Sequence, residues 1–185
     1  MDKLRRTTSR VKKALFDILG PRIKGARFLE LYAGEGGVGI EALKRGARHV
    51  VFVEISKRNV SMIKKRLSQE MVNRGEVTVR GGEVIVEVHA KDVGEFLRTF
   101  VPSQVGDESS SEGLFDIVFA DPPYSSEEYE VLIKGLSQFR GLKNDALICI
   151  EHFHKDPLPE SIDSFVLLKR YKYGDTILSF YRRNE

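Results

Sequence analysis

Arg27-Phe28-Leu29-Glu30-Leu31-Tyr32-Ala33-Gly34-Glu35-Gly36-Gly37-Val38-Gly39 is the stretch on which the fold turns. Its first half, through Tyr32, is the kind of apolar run that a strand buried on both faces requires. The run ends in a glycine cluster and passes into a helix expected over about 37–45, with Gly46 placed as its C-terminal stop. Strand, glycine turn and helix in that order open a nucleotide-binding α/β unit. Gly34, Gly36 and Gly39 let main chain approach a ligand where any Cβ would collide.

The same alternation continues outward. Upstream, Val11, Ala14, Leu15, Ile18 and Leu19 recur at helical spacing, with Thr8 or Ser9 as N-cap and Gly20-Pro21 as a stop, predicting a helix over about 9–19. Downstream come a strand over 49–54, an amphipathic helix over about 58–69 and a valine-rich stretch over 76–88. Its alternation on either side of Gly81-Gly82 fits a hairpin or a bulged long strand. A short helix follows Asp92, and 102–113 reads as a polar surface loop. The apolar strand 115–120 runs into Asp121-Pro122-Pro123-Tyr124, followed by a helix near 126–138 and a strand near 145–152. Two tail strands over 165–172 and 176–183 turn at Gly174-Asp175. This order predicts an α/β fold, one domain over 1–185 with a mostly parallel sheet and an antiparallel C-terminal hairpin. Ligands in such sheets lie at the carboxyl ends of the strands, which puts Gly34, Glu54, Asp92 and Asp121 on one rim.

Composition narrows little. Hydrophobic residues at 41% and charged residues at 31% suit a soluble enzyme, and a net charge of +3 does not select a partner. The distribution says more: Lys3, Arg5, Arg6, Arg10, Lys12, Lys13, Arg22, Lys24 and Arg27 face only Asp2 and Asp17 in the opening segment. Such a run is either a polyanion footprint or a solvated helix face. The single cysteine, Cys149, sits in an apolar run and excludes a disulfide framework. No stretch reads as a leader or a membrane span, so the expected location is cytoplasmic.

The glycine loop serves S-adenosylmethionine and NAD(P) alike, and Glu54, roughly 20 residues on, is placed for ribose hydroxyls in either case. The carboxylates favour the first. Glu30 just ahead of the loop, acting indirectly through water or backbone, and Glu35 within it suit the cationic methionine end of S-adenosylmethionine, and are unhelpful to a pyrophosphate. Asp92 follows a strand where it can accept from an adenine amino group; it reads equally well as a helix N-cap.

Asp121-Pro122-Pro123-Tyr124 carries the chemistry. Two prolines fix the backbone and remove competing N–H donors. The Asp121 carboxylate and a main-chain carbonyl then offer two acceptors to the two hydrogens of an exocyclic amine, and Tyr124 offers a face on which a planar base can stack. Such an amine is a poor nucleophile because its lone pair is delocalised into the ring. Holding both N–H bonds turns the lone pair toward the methyl donor and stabilises the developing charge. The displacement calls for no metal.

At these residues the chain resembles the RsmD-type methyltransferases, which methylate the N2 amine of a guanine in 16S ribosomal RNA. The resemblance runs through Arg6-Thr7-Thr8-Ser9-Arg10-Val11-Lys12, Leu31-Tyr32-Ala33-Gly34-Glu35-Gly36, Phe52-Val53-Glu54, Asp116 to Tyr124, and the closing Tyr173-Gly174-Asp175-Thr176. It implies a Rossmann-like seven-stranded sheet with S-adenosylmethionine as methyl donor. The implied cofactor pocket comprises Glu30, Leu31, Tyr32, Ala33, Gly34, Glu35, Gly36, Gly39, Glu54, Ile55, Asp92, Val93 and Asp121. Asp121, Pro122, Pro123 and Tyr124 stand at the target base, with Thr8 and Arg10 near it. Ribosomal RNA or an assembling small subunit is the implied partner, and a monomer the expected state. The family pattern has Pro where Arg6 stands, and usually carries a preceding β-hairpin expected to touch RNA. Rival readings are adenine-N6 methylation of DNA or RNA, glutamine methylation (which generally goes with Asn in place of Asp121), a NAD(P)-binding oxidoreductase and a catalytically silent RNA-binding subunit.

Overall fold

A computed structural model describes residues 8–73, 78–79, 82–101 and 114–183. Lys3, Arg5, Arg6, Thr7, Val77, Gly81 and the loop over 102–113 lie outside the described residues. The chain runs α1 (Ser9–Leu19), a 3-10 turn (Gly20–Ile23), β1 (Arg27–Leu31), α2 (Gly37–Lys44), β2 (His49–Val53), α3 (Lys57–Asn73), β3 (Thr78–Val79), β4 (Gly82–Glu83) and β5 (Ile85–His89). It continues through α4 (Val93–Thr99), β6 (Phe115–Ala120), α5 (Ser126–Gln138), β7 (Leu142–Phe153), β8 (Ser161–Ile162), β9 (Phe165–Tyr173) and β10 (Thr176–Arg183).

The main sheet has the order β5-β2-β1-β6-β7-β10-β9-β8. Strands β5, β2, β1, β6 and β7 are mutually parallel; β10 inserts antiparallel between β7 and β9. Seven of these strands make the expected Rossmann-like architecture, and β8 adds two residues at the outer edge of β9. The order reverses between β1 and β6, because the chain builds β2 and β5 on one side of β1 before returning to the other. That reversal opens a crevice at the carboxyl ends of β1 and β6, where ligands bind in open α/β sheets.

Burial explains the apolar runs. Every residue of β2 is buried, as are Phe28, Leu29 and Leu31 of β1, since helices cover both faces. One layer joins Val11, Leu15 and Phe16 of α1 to Val38 of α2, Ile63 of α3 and the sheet residues Phe28, Phe52, Phe119 and Cys149. The other joins Phe96 of α4 and Leu132 and Leu136 of α5 to Leu29, Val51, Val118 and Ile148.

Three expectations change. The 76–88 stretch is two features: β3 and β4 pair with each other, whereas β5 joins β2 in the main sheet. Strand β7 starts at Leu142, ahead of the expected 145, with a register shift against β6 between Phe115 and Ile117. Its polar start is held by an ion pair from Lys143 to Asp116 at 2.6 Å. Among the described residues, the basic positions of the opening segment also do not form one patch. Lys12 Nζ donates to the Gly37 carbonyl at 3.5 Å, so the first turn of α1, with Arg10 and Lys13, stands at the carboxyl rim. An 11-residue helix is about 16 Å long. It carries Arg22 and Lys24 to the opposite edge, where Gly25 N donates to Gly46 O and Arg48 N to Ala26 O.

Candidate active site

The glycine loop is built by its own carboxylates. Gly36 N donates to Ala33 O at 2.7 Å, closing a tight turn in which Gly34 (φ 53°) and Gly36 (φ 71°) are left-handed. Gly36 is the N-cap of α2 and has no side chain to satisfy the helix's first amides. Glu30 does this from the preceding strand: its Oε1 accepts from Val38 N at 3.2 Å and its Oε2 from Gly39 N at 2.8 Å. Its carboxylate therefore lies buried beneath the loop and reaches the ligand side only through the backbone. Gly39 is a packing glycine, because a Cβ there would fall 2.4 Å from Phe52 Cε1 and 2.7 Å from Glu30 Oε2. Gly34, with nothing within 4 Å of such a Cβ, faces open space, as ligand approach requires.

Burial pushes the Glu30 carboxyl up to about 8, against the two amide hydrogen bonds and the nearby Arg66 and Lys12, which pull it down. A carboxyl whose folded value lies above its ordinary value of 4.5 binds more protons folded than unfolded between those limits. Its contribution to stability is full below about 4.5 and is lost as pH rises through about 8. We predict that urea unfolding from pH 5 to pH 9 shows a fall in stability on the order of a few kcal/mol in the unmodified protein. Glu30→Gln should flatten it; equal slopes for the two proteins would refute the assignment.

Glu54 closes β2 with both oxygens engaged, Oε2 by Gly34 N and Oε1 by Ser56 N, each at 2.7 Å. Each oxygen keeps a second lone pair for a ribose hydroxyl. Asp92 is the N-cap of α4, its Oδ1 accepting from Glu95 N at 2.9 Å, and the residue also lines the central cleft. Tyr32, Glu54, Ile55, Lys91, Asp92, Val93, Pro123 and Glu128 form that cleft around about 390 Å³ of empty space. The lining holds three acidic residues and one lysine, and Ile55 stands 68% exposed beside them.

Sequence reasoning missed Glu128. Tyr32, held at φ 55°, donates its hydroxyl to Glu128 Oε2 at 3.1 Å, and burial with Glu128 alongside pushes the phenol upward. This bond ties the cofactor loop after β1 to α5, just beyond the Asp121–Tyr124 loop. The signal was masked by a local one. Ser125-Ser126-Glu127-Glu128 reads as a capping box, and Ser125 does accept from Glu128 N at 3.2 Å.

Asp121 ends β6 half-buried, Pro122 is buried, and Pro123 and Tyr124 are exposed. Pro123 O accepts from Ser125 N at 2.8 Å, so that carbonyl is spent on the turn. The Tyr124 ring stacks on Phe153, at the carboxyl end of β7, with centroids 5.6 Å apart. Thr8 caps α1 by accepting from Val11 N at 3.3 Å, and Arg10 is exposed in the same turn.

The site fits S-adenosylmethionine better than a dinucleotide. A pyrophosphate would need the amides at the start of α2, and the buried Glu30 carboxyl already occupies those of Val38 and Gly39 as an internal acceptor. An acidic cleft behind a glycine loop, on a Rossmann-like sheet ending in an antiparallel hairpin, defines an S-adenosylmethionine-dependent methyltransferase. Comparison with known proteins gives the particular group. The family model described as Conserved hypothetical protein 95 matches residues 1–182. The chain is 32% identical over 181 residues to ribosomal RNA small subunit methyltransferase D of Haemophilus influenzae, covering 97% of this chain and 83% of that one. It belongs to this RsmD-type family. Among solved structures, the Escherichia coli protein described as "Putative methyltransferase yhhF" superposes with a TM-score of 0.75 at 28% identity, covering 100% of this chain and 90% of that chain. A conserved hypothetical protein from Streptococcus pyogenes gives 0.73 at 25%, with 94% and 96% covered. No helix among the described residues is long and apolar enough to cross a membrane.

Proposed function

We propose that the protein transfers the methyl group of S-adenosylmethionine to the exocyclic N2 amine of a guanine in small-subunit ribosomal RNA. The observation that carries this reading is the sharing of one loop by two sites. Pro123 lines the acidic cleft with Glu54, Ile55 and Asp92, while Asp121 and Tyr124 flank it on the same turn. The methyl donor and the amine acceptors are thereby brought side by side.

Glu54 accepts from the ribose hydroxyls, Asp92 from the adenine amine, and Ile55 and Val93 supply apolar contact. With Pro123 O spent on Ser125 N, the Pro122 carbonyl is the main-chain acceptor beside Asp121. These two hold the N–H bonds of the amine while Tyr124 bears the plane of the base. S-adenosylmethionine supplies an electrophilic methyl carbon. The amine nitrogen forms a bond to it as the carbon–sulfur bond breaks, the electron pair leaves with sulfur, and the nitrogen's proton passes to Asp121 or to water. The base must leave its stack to reach this loop, so the enzyme acts on a flipped or unstacked nucleotide. Arg10, with Thr8 beside it, contributes to the RNA side at the rim.

Labelled-methyl transfer to small-subunit particles lacking the modification, and to naked ribosomal RNA, tests the reading. It predicts incorporation that saturates at one methyl per RNA. Absence of transfer to any RNA, together with saturable binding of NADH, would overturn it.

A further inference from the structure

We propose that Phe153 is a positioning residue for the reaction, setting the plane of the Tyr124 ring on which the target base lies. The inference rests on the reading of Tyr124 given above.

Tyr124 is 40% exposed and follows two prolines in an irregular turn, so local backbone alone leaves its ring poorly fixed. One of its faces meets the Phe153 ring at a centroid distance of 5.6 Å and an interplanar angle of 30°. The exposed part of the ring is where the base lies in the proposed function. The Phe153 ring is in turn packed edge-on by His154, 4.5 Å away at 61°, with Lys155 Nζ 5.9 Å from its centroid.

The backbone under Phe153 is pinned from three directions. Its N–H donates to the buried Tyr129 hydroxyl of α5 at 3.4 Å. Its carbonyl accepts from Asp156 N at 3.0 Å and from His152 Nδ1 at 3.1 Å. Two carbonyl partners on His152 Nδ1, Phe153 O and Asp156 O, put the proton on that nitrogen, so Nε2 accepts from Ser179 Oγ at 2.8 Å. From the third side, Thr176 pairs with Phe153, and His154 N donates to Asp175 O at 2.9 Å. The closing Tyr173-Gly174-Asp175-Thr176 segment is thus a buttress: its turn, with Gly174 at φ 64°, clamps the end of β7 beside the reaction loop. A rigid platform of this kind holds the stack of base, Tyr124 and Phe153 at a fixed distance from the Asp121 acceptors. An error in that plane would misalign the amine lone pair with the methyl carbon.

The test is a double-mutant cycle on the full chain with small-subunit RNA as substrate. Phe153→Leu should lower kcat about tenfold, leaving S-adenosylmethionine affinity and the thermal midpoint near those of the unmodified protein. Phe153→Tyr should restore kcat to within about twofold, because an aromatic ring and not bulk is needed. In a Tyr124→Ala background, Phe153→Leu should have no further effect. Full activity of Phe153→Leu, or a loss that adds to that of Tyr124→Ala, would overturn the inference while leaving the proposed function intact. If Tyr124→Ala itself transfers methyl groups normally, the reading of Tyr124 fails first. Should Phe153→Leu not fold, a tenfold loss in Phe153→Tyr with an unchanged melting point would count equally against the proposal.

Discussion

Asp121→Ala is expected to lower kcat for methyl transfer by about 10²–10³ while S-adenosylmethionine binding changes no more than a few-fold. In the proposed function Asp121 supplies one of two acceptors for the amine, and the charge it answers develops only as nitrogen attacks carbon. An interaction made chiefly in the transition state shows in kcat and not in cofactor affinity. The carboxylates proposed for the cofactor, Glu54 after β2 and Asp92 at the start of α4, are held by their own amide hydrogen bonds and stay in place. Asp121→Asn should recover part of the rate, since the amide oxygen still accepts one hydrogen bond but neither balances charge nor takes a proton. Single-turnover kinetics with RNA in excess, beside calorimetric titration of S-adenosylmethionine, separates the two quantities. Matching losses in both would mean that Asp121 builds the cofactor cleft and does not act on the amine.

Gly39→Ala should produce the largest loss of stability of any single methyl addition in the glycine loop, about 3 kcal/mol. The added carbon meets the ring of Phe52, which is wholly buried, and the Glu30 carboxylate, which holds the first amides of α2. Neither neighbour has open space to move into, so the helix must shift and cofactor affinity should fall at least tenfold. Gly34→Ala provides the contrast. It meets nothing within 4 Å and bears only the strain of a left-handed backbone at φ 53°, about 1 kcal/mol. Denaturant melts of the two variants settle the comparison, and equal stabilities would contradict the packing role given to Gly39.

How far the sequence could be read depends on how local each signal is. Strand β1, its glycine loop and α2 stand out because an apolar run, three spaced glycines and a terminal Gly46 are all contained within 20 residues or so. The limits of α1 were legible for the same reason, from a cap at Thr8 or Ser9 and a stop at Gly20-Pro21, and the structure places the cap at Thr8. Strand β7 begins before the expected 145: Lys143 and Asn144 are polar and break the apolar run, while the ion pair from Lys143 to Asp116 keeps that start in the sheet. Strand β8 is two residues whose pairing with β9 leaves no period to detect.

In the site, the residue types were visible but their partners were not. The sequence lets Glu30 act only indirectly, through water or backbone, and it does not reveal that its oxygens accept from Val38 N and Gly39 N. Glu54 reads as a ribose ligand in the sequence, which gives no sign that it fastens the glycine loop to the end of β2 through Gly34. Glu128 and Phe153 escaped notice altogether. The partner of the first, Tyr32, is 96 residues away, and Phe153 meets Tyr124 only because β6 and β7 are neighbours.

The central claim is that the Asp121–Tyr124 loop presents a guanine N2 amine in small-subunit ribosomal RNA to S-adenosylmethionine. Mass spectrometry of nucleosides from RNA methylated by the protein, digested after reaction on small-subunit particles, tests it most directly. The account predicts N2-methylguanosine as the single new nucleoside, absent when Asp121→Ala is used. N6-methyladenosine in its place would contradict the choice of base, and methyl groups found only on protein would contradict the account as a whole.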